Sequence, residues 1–262
     1  MNVLSGCFTT LIAVIPMLIT PSVFADETQL YWGDTHLHTR NSMDAYFVQN
    51  SEAGPDTAYR YAKGLPVVNA LNGVRIQIGT PLDFLVVADH AEYMAIPYRL
   101  FTLQDGALRQ TRFGQRLVEL WDQGAPIQAA LELVGTVNEL KPYKPFVTDS
   151  IRRSACEEQI RAAEAANEPG QFTAFIGWEW SSFPDAANLH RIVFTPNDGS
   201  FARQYLPFSA LDSSDPEDLW SWLQKTSDET QSDFVAIPHN SNVSNGLMFA
   251  RETLTGDRKS VV

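Results

Sequence analysis

The sequence predicts an α/β fold built around a parallel sheet, either a barrel or a doubly wound sheet, over residues 26–262. Segments typical of strands alternate along the chain with segments typical of helices, which is the pattern of such folds. Residues 82–88 form a nearly continuous apolar run, as expected for a strand buried on both faces of a parallel sheet. Hydrophobic residues make up 44% of the chain and charged residues 19%, so the composition is that of a globular protein and excludes general disorder.

The individual elements follow from local composition and from residues that begin or end helices. Asp215 and Pro216 are typical of the N-cap and first position of a helix that continues through residues 219–223. The other predicted elements, in chain order, are a strand at 30–33, a helix at 56–63, a strand at 82–88, helical spacing over 101–140, a helix at 150–167, and strands at 172–178, 188–194 and 234–238. A closed barrel needs more strands than these, and residues 258–262 contain no obvious closing element. We therefore expect a barrel that is incomplete at the C-terminus, or a chain that is a fragment of a longer one.

Residues 1–25 are predicted to be a cleaved signal peptide. The first charged residue is Asp26, and the apolar run at 11–24 is short for a membrane span and interrupted by two prolines. Ala25 provides the small residue that signal peptidase requires before the cleavage site. A membrane anchor or a missed upstream start are the alternatives. We expect an exported protein, periplasmic or extracellular, with no stable membrane span after cleavage.

The charge balance argues against nucleic acid as a partner. The chain has 19 Lys and Arg against 31 Asp and Glu, a net charge of −12. Such a chain repels polyanions at long range and lacks the clustered cations that bind phosphate backbones. Cys156 is the only cysteine after the leader, and it lies in a helical stretch, so we expect a buried or half-buried helix residue there and not a nucleophile.

The chemistry-bearing residues are five histidines and the polar residues beside them. Four histidines stand at or just beyond the end of a predicted strand, and His190 lies inside an extended run. Loops at the carboxyl ends of parallel strands are where α/β folds build active sites, and mixed imidazole and carboxylate donors suit Zn, Mn or Fe. The histidines are His36, His38, His90, His190 and His239; the polar neighbours are Asp34, Asp44, Asp89, Glu179 and Asn240.

Each of these residues also has a purely structural interpretation. His36 and His38 lie two apart on one face of an extended segment, where both can reach one ion, but they are equally compatible with a polar loop. Asp89 can cap a helix and bind His90. Glu179, between two tryptophans, needs a partner, which is either a salt bridge to Arg152, Arg153 or Arg191 or a metal ion. Taken together, separate structural explanations for all five histidines are the poorer account.

The motifs resemble a known superfamily. His36-x-His38-x-x-x-Ser42-x-Asp44, an apolar strand that ends in Asp89-His90, then Glu179 and Pro238-His239, are similar to the PHP (polymerase and histidinol phosphatase) metal-dependent phosphoesterases. More narrowly, the sequence resembles the DUF3604 family of exported proteins in YWGDTHLHT at 31–39, FTAFIGWEW at 172–180, LHR at 189–191 and IPHNSNVSNG at 237–246. These motifs extend over residues 31–246, which is most of the chain after the leader.

The resemblance implies a distorted (β/α)7 TIM-like barrel of PHP type over residues 26–262, with a site for two or three divalent ions (Zn, Mn or Fe). By matching positions, His36 and His38 would hold one ion, and Glu179 would bridge it to a second ion held also by His190 and His239. Asp44 and His90 would hold a third. The superfamily completes its site with a late Asp-x-His pair, and no histidine follows His239 in this chain.

The implied function is hydrolysis of a small phosphoester by a metal-activated water. Asp89 would orient His90 or manage a proton, and Asp89 or His90 would protonate the leaving group. Arg191 or Arg40 would clamp the phosphate, although each also has a plain salt-bridge interpretation. The alternatives are a metal-dependent ester, amide or carbamate hydrolase, and a non-catalytic metal- or carbohydrate-binding protein.

The carbohydrate-binding alternative draws on aromatic residues near the expected site. Trp32, Trp178, Trp180 and Phe183 could stack on a sugar, although aromatics at strand ends are more often packing residues. Substrate selectivity is expected to lie in residues 92–150, where no motif constrains the interpretation.

Overall fold

Seven strands occur in the residues that the structure, a computed structural model, describes, which are 28–69 and 71–257. They are β1 (Gly33–Leu37), β2 (Val67–Val68), β3 (Arg75–Ile76), β4 (Phe84–Val87), β5 (Thr173–Trp180), β6 (Arg191–Thr195) and β7 (Val235–Pro238). Five of them form one sheet in the order β1-β4-β5-β6-β7, and β2 pairs with β3 in a separate hairpin. The predicted signal peptide, residues 1–25, lies outside the described residues.

Eight α-helices surround this framework within the same described ranges. They are α1 (Met43–Phe47), α2 (Pro55–Ala62), α3 (Gly106–Arg109), α4 (Arg112–Asp122), α5 (Pro126–Asn138), α6 (Asp149–Ala166), α7 (Gly199–Ala202) and α8 (Pro216–Thr230). A π-helical turn covers Tyr98–Thr102, and short 3-10 turns cover Lys144–Phe146 and Pro184–Ala186. None of the helices in the described part of the chain has the length and apolar character needed to cross a bilayer.

The main sheet is mixed. β1, β4 and β5 run parallel, as the sequence predicts, whereas β6 is antiparallel to β5 and β7 is antiparallel to β6. A short connection at residues 181–190 joins β5 to β6, and a chain that returns so soon can pair only antiparallel. The five strands form a curved sheet resembling half of a barrel. The (β/α)7 barrel itself stays a prediction.

Most predicted elements are present with small shifts in their bounds. The apolar run at 82–88 contains β4, the helix at 150–167 is α6, and 56–63 is α2. Asp215 caps α8 by accepting a hydrogen bond from the Glu217 amide at 3.1 Å, with Pro216 at the first helical position. The first strand begins at Gly33, later than expected, so His36 lies within the strand and not in the loop after it.

The two faces of the sheet bury different sets of side chains, because successive residues of a strand point to opposite faces. Leu85 and Val87 pack on the helical face against α2 and α6. Val86 of β4 and Ala88, just after β4, pack on the other face with Ile192 and Phe194 of β6. The histidines lie on this second face, at the ends of the strands.

Gln159 anchors α6 to the sheet. Its side chain is 3% exposed, and its amide nitrogen donates to the backbone oxygens of Val87, at the end of β4, and Gly177, in β5. Both oxygens are buried next to the segments that carry His90 and Glu179. A polar helix residue therefore fixes the two central strands at the point where they enter the site.

Residues 101–140, predicted to be helical, form a helical layer of their own. Leu117 of α4 and Leu133 of α5 are fully buried in a cluster that also contains Tyr46 of α1 and Leu100 of the π-helical turn. Through α1 this layer contacts the loop that follows β1, so it lies beside the end of the sheet that carries the histidines.

Gly177 gives a direct test of the packing between the central strands. A Cβ added there would lie 2.6 Å from Val86 Cγ1 and 2.8 Å from Phe194 Cβ. We expect Gly177→Ala to lower the free energy of unfolding by about 1–3 kcal/mol, measured by urea denaturation.

The matched control is Gly135→Ala in α5. An added Cβ there meets nothing within 4 Å, so helix propensity alone predicts stabilisation by about 0.5–1 kcal/mol. Equal effects of the two substitutions would contradict the packing described here.

Candidate metal centre

All seven residues expected to bind metal line one pocket of about 370 Å³ at an edge of the sheet. Asn188 completes the lining, and its side chain accepts a hydrogen bond from the His190 amide at 3.0 Å. The seven are His36, His38, Asp44, His90, Glu179, His190 and His239.

Strand direction explains why residues so far apart in sequence meet there. β1, β4 and β5 are parallel, so their carboxyl ends, which carry His38, His90 and Glu179, lie at the same edge. β6 runs the opposite way, and therefore its first residues lie at that edge; His190 immediately precedes it. β7 reverses again and delivers His239, whose amide donates to the His190 backbone oxygen at 3.0 Å.

The reversal of β6 resolves the position of His190. The sequence places it inside an extended run, whereas the structure begins the strand at Arg191. His190 thus lies at a strand end like His38, His90 and His239, but at the amino end of its strand. Its position in the pocket follows from the antiparallel pairing of β5 with β6.

Glu179 lies at the centre of the site and is completely buried. Its Oε1 is 3.0 Å from His190 Nδ1 and 3.6 Å from His36 Nε2, and its Oε2 is 2.9 Å from His90 Nδ1 and 3.1 Å from His38 Nε2. Four imidazoles therefore provide the partner that the sequence requires for this carboxylate, and no arginine among the described residues forms a salt bridge with it. The two flanking tryptophans pack on the opposite face of β5.

Asp44 forms the outer side of the pocket. It lies in α1, where its carboxylate is 3.0 Å from His38 Nδ1 and 3.7 Å from His90 Nε2. Ser42 donates to Asp44 Oδ1 at 2.7 Å and lies 3.1 Å from His38 Nδ1. The turn after His38 thus brings Asp44 back toward the histidines, as the motif predicts.

The two carboxylates and their histidines shift one another's pKa values. Burial opposes ionisation of Glu179, but hydrogen bonds from His190, His36, His38 and His90 outweigh it and hold its pKa well below the ordinary value. The same balance, with His38 and His90 as donors, lowers the pKa of Asp44. Burial would lower the pKa of His38, but its hydrogen bonds to Asp44 and Glu179 raise it to about 9. Without a bound cation, protonated imidazoles balance the buried carboxylate.

The donor set fits divalent metal ions. Nε2 of His36 and Nε2 of His38 lie 3.0 Å apart, and Nδ1 of His239 is buried without a hydrogen-bond partner among the described residues. Ligand atoms within 4.8 Å of one another form three groups: His36, Glu179 and His239; His38, Asp44 and His90; and His90, Glu179 and His190. Imidazole and carboxylate together suit Zn, Mn or Fe.

These groups pair the ligands differently from the sets that the resemblance implied. His36 and His38, expected to share one ion, fall into different groups, and His36 joins Glu179 and His239. His190 groups with His90 through Glu179, whereas Asp44 and His90 remain together as expected. Glu179 belongs to two groups, as a bridging ligand would.

Asp89 is oriented away from the pocket. Its carboxylate, fully buried, accepts hydrogen bonds from the Thr39 amide and, at 2.7 Å, from the Thr39 hydroxyl. Burial raises its pKa to about 6, against the effect of these hydrogen bonds. Asp89 therefore ties the end of β4 to the segment that follows His38, and its hydrogen bonds go to Thr39 and not to His90.

The structure does not bring Arg191 into the pocket. Neighbouring residues of a strand face opposite sides, so His190 faces the pocket and Arg191 faces the helical side. Its buried guanidinium donates to the backbone oxygens of Leu189 and His190 and contacts Met248. Arg40 pairs with Glu158 at 2.6 Å, which matches the salt-bridge interpretation.

Ser181 is a site residue that sequence reasoning missed. Its hydroxyl contacts His90 Nδ1, and its amide donates to Glu92. Asn188 was also missed. Neither belongs to a recognisable motif; only their places directly after β5 and just before His190 could have pointed to them.

The aromatic residues considered for stacking on a sugar divide into two sets. Trp178 and Trp180 are buried, and their ring nitrogens donate to the backbone oxygens of Phe208 and Ser213, so neither offers a face to a ligand. Trp32 is 70% exposed and does not line the pocket. Phe183 alone of the four lies beside the histidines, with its ring 6.4 Å from that of His190.

Cys156 lies in α6, as predicted, and is partly exposed at the residue level. Burial of its thiol raises the pKa to about 12, so the protonated form persists at neutral pH. Because the thiolate is the nucleophilic form, this environment matches a packing role.

Comparison with known proteins gives one family. The family model described as "Protein of unknown function (DUF3604)" matches residues 25–261. No curated protein and no solved structure matches the chain.

The geometry predicts that Glu179 controls metal loading. We expect the chain, purified without chelator, to hold two or more Zn, Mn or Fe ions. Glu179→Gln should remove at least one of them and weaken the remainder by about 10–100-fold, because it neutralises the shared ligand. Elemental analysis and metal titration measure both quantities.

Glu132→Gln is the matched control. Glu132 pairs with Arg116 and does not line the pocket of the candidate ligands. Its metal content should equal that of the wild type. Full loading of the Glu179 variant would contradict the central role assigned to this carboxylate.

Proposed function

The chain belongs to the DUF3604 family, and we propose that it is an exported metal-dependent hydrolase, with a phosphoester as its substrate. The observation that carries the proposal is the convergence of five histidines and two carboxylates on one open pocket, with a buried glutamate shared between groups. A site for two or three ions in a PHP-type barrel is the corresponding structural proposal.

Divalent ions bound by these residues would activate a water molecule near neutral pH and would neutralise negative charge on the transferred group. The chain's own residues fix the arrangement. Glu179 holds four imidazoles in place, and Asp89, through Thr39, fixes the segment after His38. Both are positioning roles that reduce reorganisation during the reaction.

Proton return to the leaving group falls to His90. Of the two residues considered for this role, only His90 lines the pocket, because the Asp89 carboxylate is occupied by Thr39. In a two-ion site that leaves His90 free of metal, its Nε2 faces the pocket on the side of Asp44. Ser181 and Glu179 contact the other ring nitrogen and thereby set the orientation of the ring.

The second candidate is hydrolysis of an ester, amide or carbamate. The specific observation in its favour is the lining of the pocket, which among the described residues contains no lysine or arginine. A phosphate there would depend on the bound ions for charge neutralisation, whereas an uncharged substrate would not. A non-catalytic metal-binding protein is the outcome if ions bind and no substrate of either class reacts.

Turnover should require the central ligands. We expect metal-loaded wild type to hydrolyse 4-nitrophenyl phosphate or bis(4-nitrophenyl) phosphate, and His36→Ala and Glu179→Ala to lower kcat/KM at least about 100-fold while circular dichroism stays unchanged.

4-Nitrophenyl acetate separates the two candidates, since an acyl hydrolase would cleave it in preference to the phosphates. Glu132→Gln again serves as the control of unchanged activity. Retained activity in either His36→Ala or Glu179→Ala would contradict the assignment of the site.

Export is proposed from the leader at residues 1–25. Expression of the full chain in a bacterial host should yield a protein whose N-terminus, read by Edman degradation or mass spectrometry, is Asp26. Ala25→Arg should block this cleavage, because the site requires a small residue. A wild-type protein that reaches the periplasmic fraction with Met1 still present would contradict the predicted cleavage after Ala25.

A further inference from the structure

A second pocket, of about 210 Å³, opens beside the metal centre. His90 and His190 line both pockets, so a molecule with one end among the metal ligands could place its other end here. We call this second space the side pocket.

The walls of the side pocket are apolar. Met43 comes from α1, Val134 and Val137 lie three residues apart on one face of α5, and Phe183 follows β5. Met43 and Val137 are buried, whereas Phe183 is 37% exposed at the rim. Two of these four residues come from the segment 92–150, where substrate selectivity was expected.

Polar residues also line the side pocket: His90, Glu92, Asn138, Ser181 and His190. Glu92 differs from the others in its burial. Glu92 is completely buried, and its Oε1 accepts hydrogen bonds from the amides of Ser181, at 3.3 Å, and Ala210. Its Oε2 is also buried and has no hydrogen-bond partner among the described residues. Buried acceptors are nearly always paired, because an unpaired one loses its hydration without compensation. Glu92 lines the side pocket, so a ligand bound there that brings a donor would pair this oxygen.

We propose that the side pocket binds a compact apolar group of the substrate, a single ring or a short branched chain, which carries a hydroxyl or amino donor for Glu92. The inference rests on the proposed hydrolase function, in that the bond to be cleaved lies toward His90 and His190. It adds the substrate class: an ester whose organic part is small, apolar and substituted with one hydrogen-bond donor.

The size of the pocket supports a single ring. An engineered, apolar protein cavity of about 150 Å³ holds benzene, so the side pocket accommodates a ring with one substituent. An apolar ring without a donor would pack against the apolar side chains but leave Glu92 Oε2 without a hydrogen bond. A polar sugar would donate a hydrogen bond to Glu92 but would not match the apolar side chains.

Binding is tested with two probes of nearly equal shape, phenol and toluene, of which only phenol has a donor. The full chain, labelled with 13C-methyl methionine, is titrated with each probe at equal concentrations below the solubility limit of toluene. Met43 lines the side pocket, and Met94 lines a separate cavity of about 340 Å³, so the two methyl signals report on the two spaces. Met43→Leu and Met94→Leu assign the signals.

We expect phenol to shift the Met43 signal and not the Met94 signal, with an affinity about five-fold above that of toluene. Glu92→Gln places an amide nitrogen or oxygen where Oε2 lies and should reduce this preference, while both probes still bind. Val134→Phe should abolish binding of both, because it fills the pocket from a half-buried position, and its unchanged circular dichroism would show that it folds.

A shift of Met94 alone, no shift of Met43, or equal affinity for the two probes in the wild type would overturn the inference. These readouts involve no turnover, so they separate it from the proposed function. Phenol binding without hydrolysis of any ester would support the proposed ligand of the side pocket and refute the proposed hydrolase function. Hydrolysis of glycerol phosphate as fast as 4-hydroxyphenyl phosphate, without phenol binding, would support the hydrolase function and refute the proposed ligand of the side pocket.

Discussion

The Glu179 carboxylate has no access to solvent, and a carboxylate so placed is stable only if positive charge or hydrogen-bond donors surround it. Four imidazoles meet that requirement, and they come from three separate segments of the chain: His36 and His38 from β1 and its end, His90 after β4, and His190 before β6. Each segment must therefore end at the same edge of the sheet. The parallel central strands, the return of β6 and the amide of Gln159 that fixes β4 and β5 all serve this one condition.

Local signals in the sequence were sufficient for most of the elements and for the residues that line the pocket. The apolar run of β4, the Asp215 cap and the breaks around α6 each act within a few residues, so their meaning does not depend on the rest of the fold. The ligands were predictable for a related reason. Several histidines and acidic residues at strand ends are hard to explain separately, and the structure brings them to one pocket.

Properties that depend on strand pairing could not be predicted. The sequence of β6 predicts an extended segment but not the direction in which it pairs, so neither its reversal nor the helical-side orientation of Arg191 follows from the sequence. The bond between Asp89 and Thr39 joins residues 50 positions apart, and an Asp before a His at a strand end gives no sign of it. The unpaired oxygen of Glu92 is likewise visible only once three separate segments are packed together.

The polar lining of the candidate metal centre and the apolar lining of the side pocket come from different parts of the fold. The candidate metal ligands other than Asp44 belong to the sheet and its adjoining turns, whereas Val134 and Val137 belong to α5, which packs within the helical layer. Under the proposed function, a substitution on that face of α5 would change the shape that the side pocket offers to a substrate while the strands stay in place. Relatives with this sheet could diverge in what they act on through one helix, while the chemistry at Glu179 stays the same.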